Sequence, residues 1–148
     1  MVASVDDIRR LVALDHGLAS LSTLRGDGSV HVSVVNAGVL DHPVDAQAVA
    51  AFVARPFTRK LANLRARPTA TLQWRAGWAW VAAEGTVEVI GPDEPLTGHD
   101  PAALPALLRA IYVAAGGQHE DWAEYDRVMA TEKRVAVLLR PMRIYVNP

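Results

Sequence analysis

The sequence contains no cysteine among its 148 residues, which excludes disulfide bonds, thiolate metal ligands and a cysteine nucleophile. This absence also fits a reducing compartment, and we expect a cytoplasmic protein. No apolar run approaches the about 18 residues that a membrane span needs, and residues 1–15 lack the apolar centre of a signal peptide. The formal net charge is −1, whereas nucleic-acid binding requires a basic surface. We therefore expect a soluble protein that binds neither nucleic acid nor membrane.

The pattern of apolar and turn-forming residues predicts one mainly β domain over residues 1–148. A capping box at Ser4 and Asp7 starts a helix over 5–15, and the turn around Asp27-Gly28 predicts a hairpin. The predicted strands are 18–25, 30–36, 47–54, 69–75, 78–90 with a bulge at Gly85, and 134–139 with an extension at 142–146. The other predicted helices are 58–64, 102–115 and 120–132. Six strands with short antiparallel connections predict a six-stranded antiparallel barrel. No glycine-rich fingerprint links a strand to a helix, which argues against a Rossmann nucleotide site.

A short basic segment at the start of the helix after the third strand is the most informative motif. Thr58 is placed to cap this helix, and Arg59 and Lys60 fall in its first turn. Cations there oppose the positive end of the helix dipole unless an anion binds. A phosphate would accept hydrogen bonds from the free backbone N–H groups, the guanidinium and the ammonium together. The alternative is that both side chains extend into solvent.

The second strand of the hairpin has two unlike faces. Val30, Val32 and Val34 share one face, and His31, Ser33 and Val35 share the other. Apolar surface with a few hydrogen-bonding groups suits a flat heteroaromatic ligand. The alternative is a half-exposed strand with its polar face in water.

Three tryptophans, Trp74, Trp78 and Trp80, lie close together around the turn at Ala76-Gly77. Trp78 and Trp80 point to the same side of the fifth strand. Such residues occur in a barrel core, at dimer interfaces and as stacking walls for planar cofactors, and spacing alone does not separate these roles.

No pair of residues has the pattern of a general acid and base, so catalytic residues are not assigned. The histidines at 16, 42, 99 and 119 lack metal-ligand spacing, and we expect no metal site. The serines lie outside a nucleophile elbow, which disfavours a hydrolase. A cofactor that carries the reaction would leave the protein to bind and orient it.

Three segments resemble the pyridoxamine 5'-phosphate oxidase-like, flavin-binding split-barrel family. Residues 21–36 resemble its first hairpin, residues 58–68 its phosphate-binding turn and residues 78–88 the long strand that follows. The resemblance extends through Gly116-Gly117, Tyr125, Met129 and Arg134 to Tyr145 and covers nearly the whole chain. It is nearest to the actinobacterial branch that uses the deazaflavin F420.

The resemblance implies a homodimer with two cofactor sites at the interface. It implies that Arg59 and Lys60, in the turn that begins at Thr58, hold the cofactor phosphate. The residues that would line the flavin or deazaflavin ring are His31, Ser33, Val34, Val35 and Asn36. Trp80 would contact the ring, reaching in from the partner chain.

Two departures from the oxidases guide the choice of cofactor. Their ring-lining strand begins with arginine and ends with lysine, where this sequence has His31 and Asn36. Their basic C-terminal segment has no counterpart before Pro148. We therefore expect an F420-dependent oxidoreductase that passes a hydride to a small conjugated acceptor. The alternatives are an FMN-dependent reductase and a non-enzymatic protein that binds flavin, F420 or haem.

Overall fold

The computed structural model describes residues 2–147 and contains six strands and four α-helices. The helices are α1 (Val5–Asp15), α2 (Arg59–Ala66), α3 (Leu104–Ala114, preceded by a 3₁₀ turn at Pro101–Ala103) and α4 (Trp122–Thr131). The strands are β1 (Leu18–Leu24), β2 (Val30–Asp41), β3 (Ala48–Ala54), β4 (Thr69–Ala76), β5 (Ala79–Ile90) and β6 (Val135–Val146).

The strands form a closed barrel in the order β1-β2-β3-β6-β5-β4, and every neighbouring pair is antiparallel. This confirms the predicted fold class. The strand β2 changes partner within its length. Residues as far as Asn36 pair with β1, and residues from Ala37 onward pair with β3. Residues 30–36 of β2 have no partner on β3, and we call the resulting opening between the first half of β2 and β3 the split.

The barrel interior is filled by inward-facing apolar side chains, and helices pack at its ends. α1 contributes Ile8 and Leu11 to this core, and α2 contributes Leu61 and Leu64. Trp74 is buried in the same cluster, and its indole Nε1–H donates to the carbonyl oxygen of Ala37 at 3.0 Å. The core therefore fixes both helices against the strands.

The outer surface of the barrel has a covered part and a bare part. α3 and α4 cover the outer sides of β3 and the first half of β6, where Val49, Ala51 and Leu138 are buried. In the part of the chain that the structure describes, no helix covers the outward side chains of β1 and the first half of β2. We call this surface the bare face, and it includes Leu18, Leu24, Val30, Val32 and Val34, all exposed.

Two strands differ from the sequence prediction. β2 runs to Asp41 rather than ending at Asn36, because residues 37–41 find new partners on β3. β6 is one strand rather than a strand with a separate extension. Pro141 of β6 pairs with Gly85 at a register shift between Glu84 and Gly85, which confirms the predicted bulge at Gly85. The proline is tolerated within β6 because it lies at this irregularity.

Within residues 2–147, no helix has the length and apolar character needed to cross a membrane.

Candidate functional site

The start of α2 carries two cations and no acidic residue. Arg59 and Lys60 occupy the first turn, and neither has a carboxylate within salt-bridge distance among residues 2–147. Thr58 occupies the N-cap position as predicted, but its side chain makes no capping hydrogen bond. The positive end of this helix is therefore left without a protein counter-charge in the described chain.

Contacts under α2 hold it close to the first hairpin. Leu61 and Leu64 are buried, and the Asn63 side-chain Nδ2 donates to Thr23 Oγ1 at 3.0 Å in a buried hydrogen bond. Thr23 pairs across the hairpin with His31. The basic turn and the start of β2 are thus anchored to the same point on β1.

The orientation of β2 is the reverse of the alternative in which its polar face lies in water. The valine face is outward, with Val34 68% exposed, and the polar face turns toward the barrel. His31 lies opposite Thr23 and Ser33 opposite Leu21, both of which are buried. The predicted ring-lining residues consequently divide, with His31, Ser33 and Val35 inward and Val34 and Asn36 outward.

Four buried side-chain atoms in the described residues have no hydrogen-bond partner. They are His31 Nδ1, Ser33 Oγ, Thr58 Oγ1 and Arg134 Nε. Three of the four belong to the predicted cofactor-binding residues. A buried polar group without a partner costs about 1–3 kcal/mol, and native proteins leave few of them. Unpartnered polar atoms on β2 and at the start of α2 fit a ligand with several hydrogen-bonding oxygens, such as a phosphate-bearing cofactor.

Asn36 has a structural role at the point where β2 changes partner. With its amide nitrogen facing the neighbouring carbonyls, it donates to His16 O at 2.6 Å and Ala115 O at 3.0 Å. It therefore ties the end of α1 to the end of α3. It also lines a cavity of about 230 Å³ between β2, α3, α4 and the start of β6.

The three clustered tryptophans have three different environments. Trp74 is in the core, and Trp78 is 92% exposed in the β4–β5 turn. Trp80 is partly buried on the outer side of β5 and packs edge-to-face on Tyr145, with ring centroids 6.0 Å apart. In the strand order, β5 is three strands from β2 in either direction. Trp80 is thus on the opposite side of the barrel from the ring-lining strand of its own chain.

Sequence reasoning missed two features near the split. A groove beside Thr58 is lined by Arg55, Phe57 and Lys133 among others. The cavity that contains Asn36 is also lined by Arg134, whose role the sequence did not assign. Both depend on the α4–β6 connection folding back beside α2, and no local pattern predicts that contact.

Two phenols near these surfaces stay protonated at neutral pH. Burial raises the pKa of Tyr125 to about 12, with a smaller contribution from Tyr112. The hydrogen bond from Tyr145 to Glu84, at 2.6 Å, raises the pKa of that phenol too. Neither supplies a tyrosinate base.

The closed antiparallel barrel and its split define a small split-barrel protein. The chain belongs to the pyridoxamine 5'-phosphate oxidase family, whose model matches residues 5–146. It carries the fold of that family with the departures at His31 and Asn36 described above.

Solved structures with the same fold differ in the functions that their names state. An F420 reductase shares 17% identity with a TM-score of 0.59, covering 90% of this chain and 93% of its own. A pyridoxamine 5'-phosphate oxidase-related, FMN-binding protein from Nostoc punctiforme shares 15% with a TM-score of 0.64, covering 95% and 79%. A haem storage protein from Vibrio cholerae shares 11% with a TM-score of 0.58, covering 99% and 95%. At these identities the likeness establishes the fold alone.

Proposed function

We propose that this protein is an F420-dependent oxidoreductase that reduces a small conjugated acceptor in the cytoplasm. The observation that carries the proposal is the set of three unpartnered polar atoms, on His31, Ser33 and Thr58, together with two uncompensated cations that follow Thr58. When bound, reduced F420 would supply the hydride. The residues of the chain would bind the cofactor, orient it and exclude water.

The phosphate of the cofactor fits the start of α2. Arg59 and Lys60 supply positive charge, the Thr58 hydroxyl supplies a donor, and the first backbone N–H groups of the helix point the same way. Because α2 is anchored through Asn63 to Thr23, this anion site is held at a fixed distance from β2. Fixed placement is what a protein must provide when the cofactor carries the reaction.

The outward side of β2 fits the interface of a homodimer that would enclose the cofactor ring. The bare face leaves Val30, Val32 and Val34 exposed, and contiguous apolar surface of this kind is typical of an interface. Trp80 is across the barrel from β2 within one chain. It would therefore contact the ring only from a second copy, which would also shield the valines from water.

F420 is favoured over FMN by the two departures in β2. His31 replaces the arginine and Asn36 the lysine that the oxidases carry, so β2 offers less positive charge to a tightly held flavin. Asn36 is moreover committed through its amide nitrogen to the carbonyls of His16 and Ala115. The phosphate site itself suits either cofactor.

The experiment is a side-by-side fluorescence titration of the purified protein with F420 and with FMN. We expect tighter binding of F420, and we expect the double variant Arg59→Ala, Lys60→Ala to bind it at least tenfold more weakly, a loss of about 1.4 kcal/mol. The matched control is Arg9→Ala, Arg10→Ala, which removes two exposed cations from α1. Unchanged affinity in the α2 variant would refute the assigned anchor.

Two other outcomes would redirect the assignment. A yellow protein with flavin absorption near about 450 nm would make it an FMN-dependent reductase. Tight binding of haem, or of either cofactor without turnover of enones and quinones, would make it a non-enzymatic binding protein. A haem storage protein shares its fold.

A further inference from the structure

The fourth unpartnered buried atom lies outside the predicted cofactor residues. Arg134 is the residue immediately before β6, and its Nε–H is buried without an acceptor. Its Nη2 donates to the Glu132 carboxylate at 3.2 Å. The guanidinium is therefore already paired with one carboxylate, and its Nε–H is a buried donor without an acceptor.

The cavity beside Arg134 is small and mostly apolar. It measures about 230 Å³, and Val53, Ile111 and Met129 form aliphatic walls. Tyr112 and Tyr125 also line it, but their hydroxyls donate to the carbonyls of Gln118 and Leu108, each at 3.1 Å. They thus offer the cavity their rings and leave Arg134 as its one cationic lining group.

The position of the cavity relates it to the proposed cofactor site. Asn36, the last residue of the predicted ring-lining segment, forms part of its wall. Two residues before Arg134, Glu132 lines the adjoining groove together with Thr58. The cavity is therefore linked to the predicted ring-lining segment through Asn36 and to the groove beside Thr58 through the α4–β6 connection.

We propose that this cavity is the acceptor subsite and that Arg134 Nε–H donates to the carbonyl oxygen of a small, neutral, conjugated ketone. The apolar walls and aromatic rings suit a planar hydrocarbon body. The buried, unpartnered Nε–H suits one carbonyl oxygen. A carboxylate fits less well because Glu132 already neutralises the guanidinium and would repel a second anion. This inference rests on the proposed function, because the bound ketone is a hydride acceptor only if the protein is an F420-dependent oxidoreductase.

The test uses three probes of similar shape in isothermal titration calorimetry. They are 4-phenyl-3-buten-2-one, which carries the carbonyl, 1-phenyl-1-butene, which lacks it, and cinnamate, which carries a carboxylate. We expect the wild-type protein to bind the ketone about tenfold more tightly than the hydrocarbon or the carboxylate, as one hydrogen bond from a charged donor implies. Arg134→Met should bind the ketone and the hydrocarbon equally.

Two further variants guard against a general loss of structure. Arg127→Met removes an exposed arginine from α4 and should keep the tenfold preference. Met129→Trp fills the cavity and should abolish binding of all three probes. Equal binding of ketone and hydrocarbon by the wild type, or an unchanged preference in Arg134→Met, would overturn the proposal.

F420 titration of the same preparations separates the two hypotheses. Every variant should bind F420 within about twofold of the wild type, because the phosphate anchor is untouched. A protein that binds the ketone through Arg134 but does not bind F420 would retain the subsite and lose the proposed function. A protein that binds F420 but shows no ketone preference would retain the proposed function and lose the subsite.

Discussion

The hydroxyl of Thr58 offers a prediction in which stability and binding change in opposite directions. Its Oγ1 is buried without a partner, and it makes no capping hydrogen bond to α2. Thr58→Val keeps the shape and removes the unsatisfied group, whose burial costs about 1–3 kcal/mol. We expect the cofactor-free variant to be more stable by about 1 kcal/mol, a rise in Tm of about 3 °C.

The same change should weaken cofactor binding. A hydrogen bond from the hydroxyl to a phosphate oxygen is charge-assisted and contributes about 1.5–3 kcal/mol. We therefore expect the Kd for F420 to rise by about tenfold or more. Thermal denaturation without ligand and fluorescence titration with F420 measure the two effects on one preparation.

Thr23→Val is the matched control because it makes the same chemical change at a satisfied hydroxyl. Thr23 Oγ1 accepts from Asn63 Nδ2 at 3.0 Å, and both residues are buried. Removing the acceptor leaves the buried Asn63 amide without a hydrogen-bond partner, so this variant should lose about 1–3 kcal/mol of stability. If Thr58→Val were destabilised like Thr23→Val and still bound F420 normally, the assignment of Thr58 to the phosphate site would be wrong.

Two further predictions concern the bare face and the acid limit of stability. Val32→Glu should convert a dimer into monomers in sedimentation experiments while leaving the fold intact, since Val32 is exposed within one chain. A wild-type protein that already sediments as a single chain would contradict the interface. Asp45→Asn should lower the urea midpoint near neutral pH, because the hydrogen bond from Arg140 holds the pKa of Asp45 below its usual 3.8. A depressed pKa stabilises the fold above about pH 4 and the benefit is lost on acidification, so the two proteins should converge by about pH 2.5. A gap that persists there would show that the loss is not electrostatic.

Local chemistry made most of the fold predictable. The capping box at Ser4 and Asp7, the Asp27-Gly28 turn and the bulge at Gly85 all form as the sequence indicated. The second half of β2 was missed because its pairing with β3 is a tertiary event that follows the last hairpin residue. The continuity of β6 was missed because a proline usually ends a strand, and only the irregularity opposite Gly85 accommodates it.

The candidate site was predictable in its residue types more than in its geometry. Alternation showed that the valines of β2 share a face, but it does not tell which face meets the barrel. The basic residues at 59 and 60 were recognisable from the helix dipole. The missing partners of Thr58 and Ser33, and the cavity beside Arg134, depend on contacts between segments that are distant in sequence.

The end of α3 rests directly on the backbone of the neighbouring chain segments. A β-carbon at Gly38 would lie 2.1 Å from the Ala114 carbonyl oxygen, and one at Gly17 would lie 2.5 Å from that of Ala115. Because no side chains lie between them to repack, the position of the helix end relative to the strand is fixed. A change in the shape of the cavity beside Arg134 must therefore come from exchanging side chains along α3 and α4. Shifting the helix itself is not an available route.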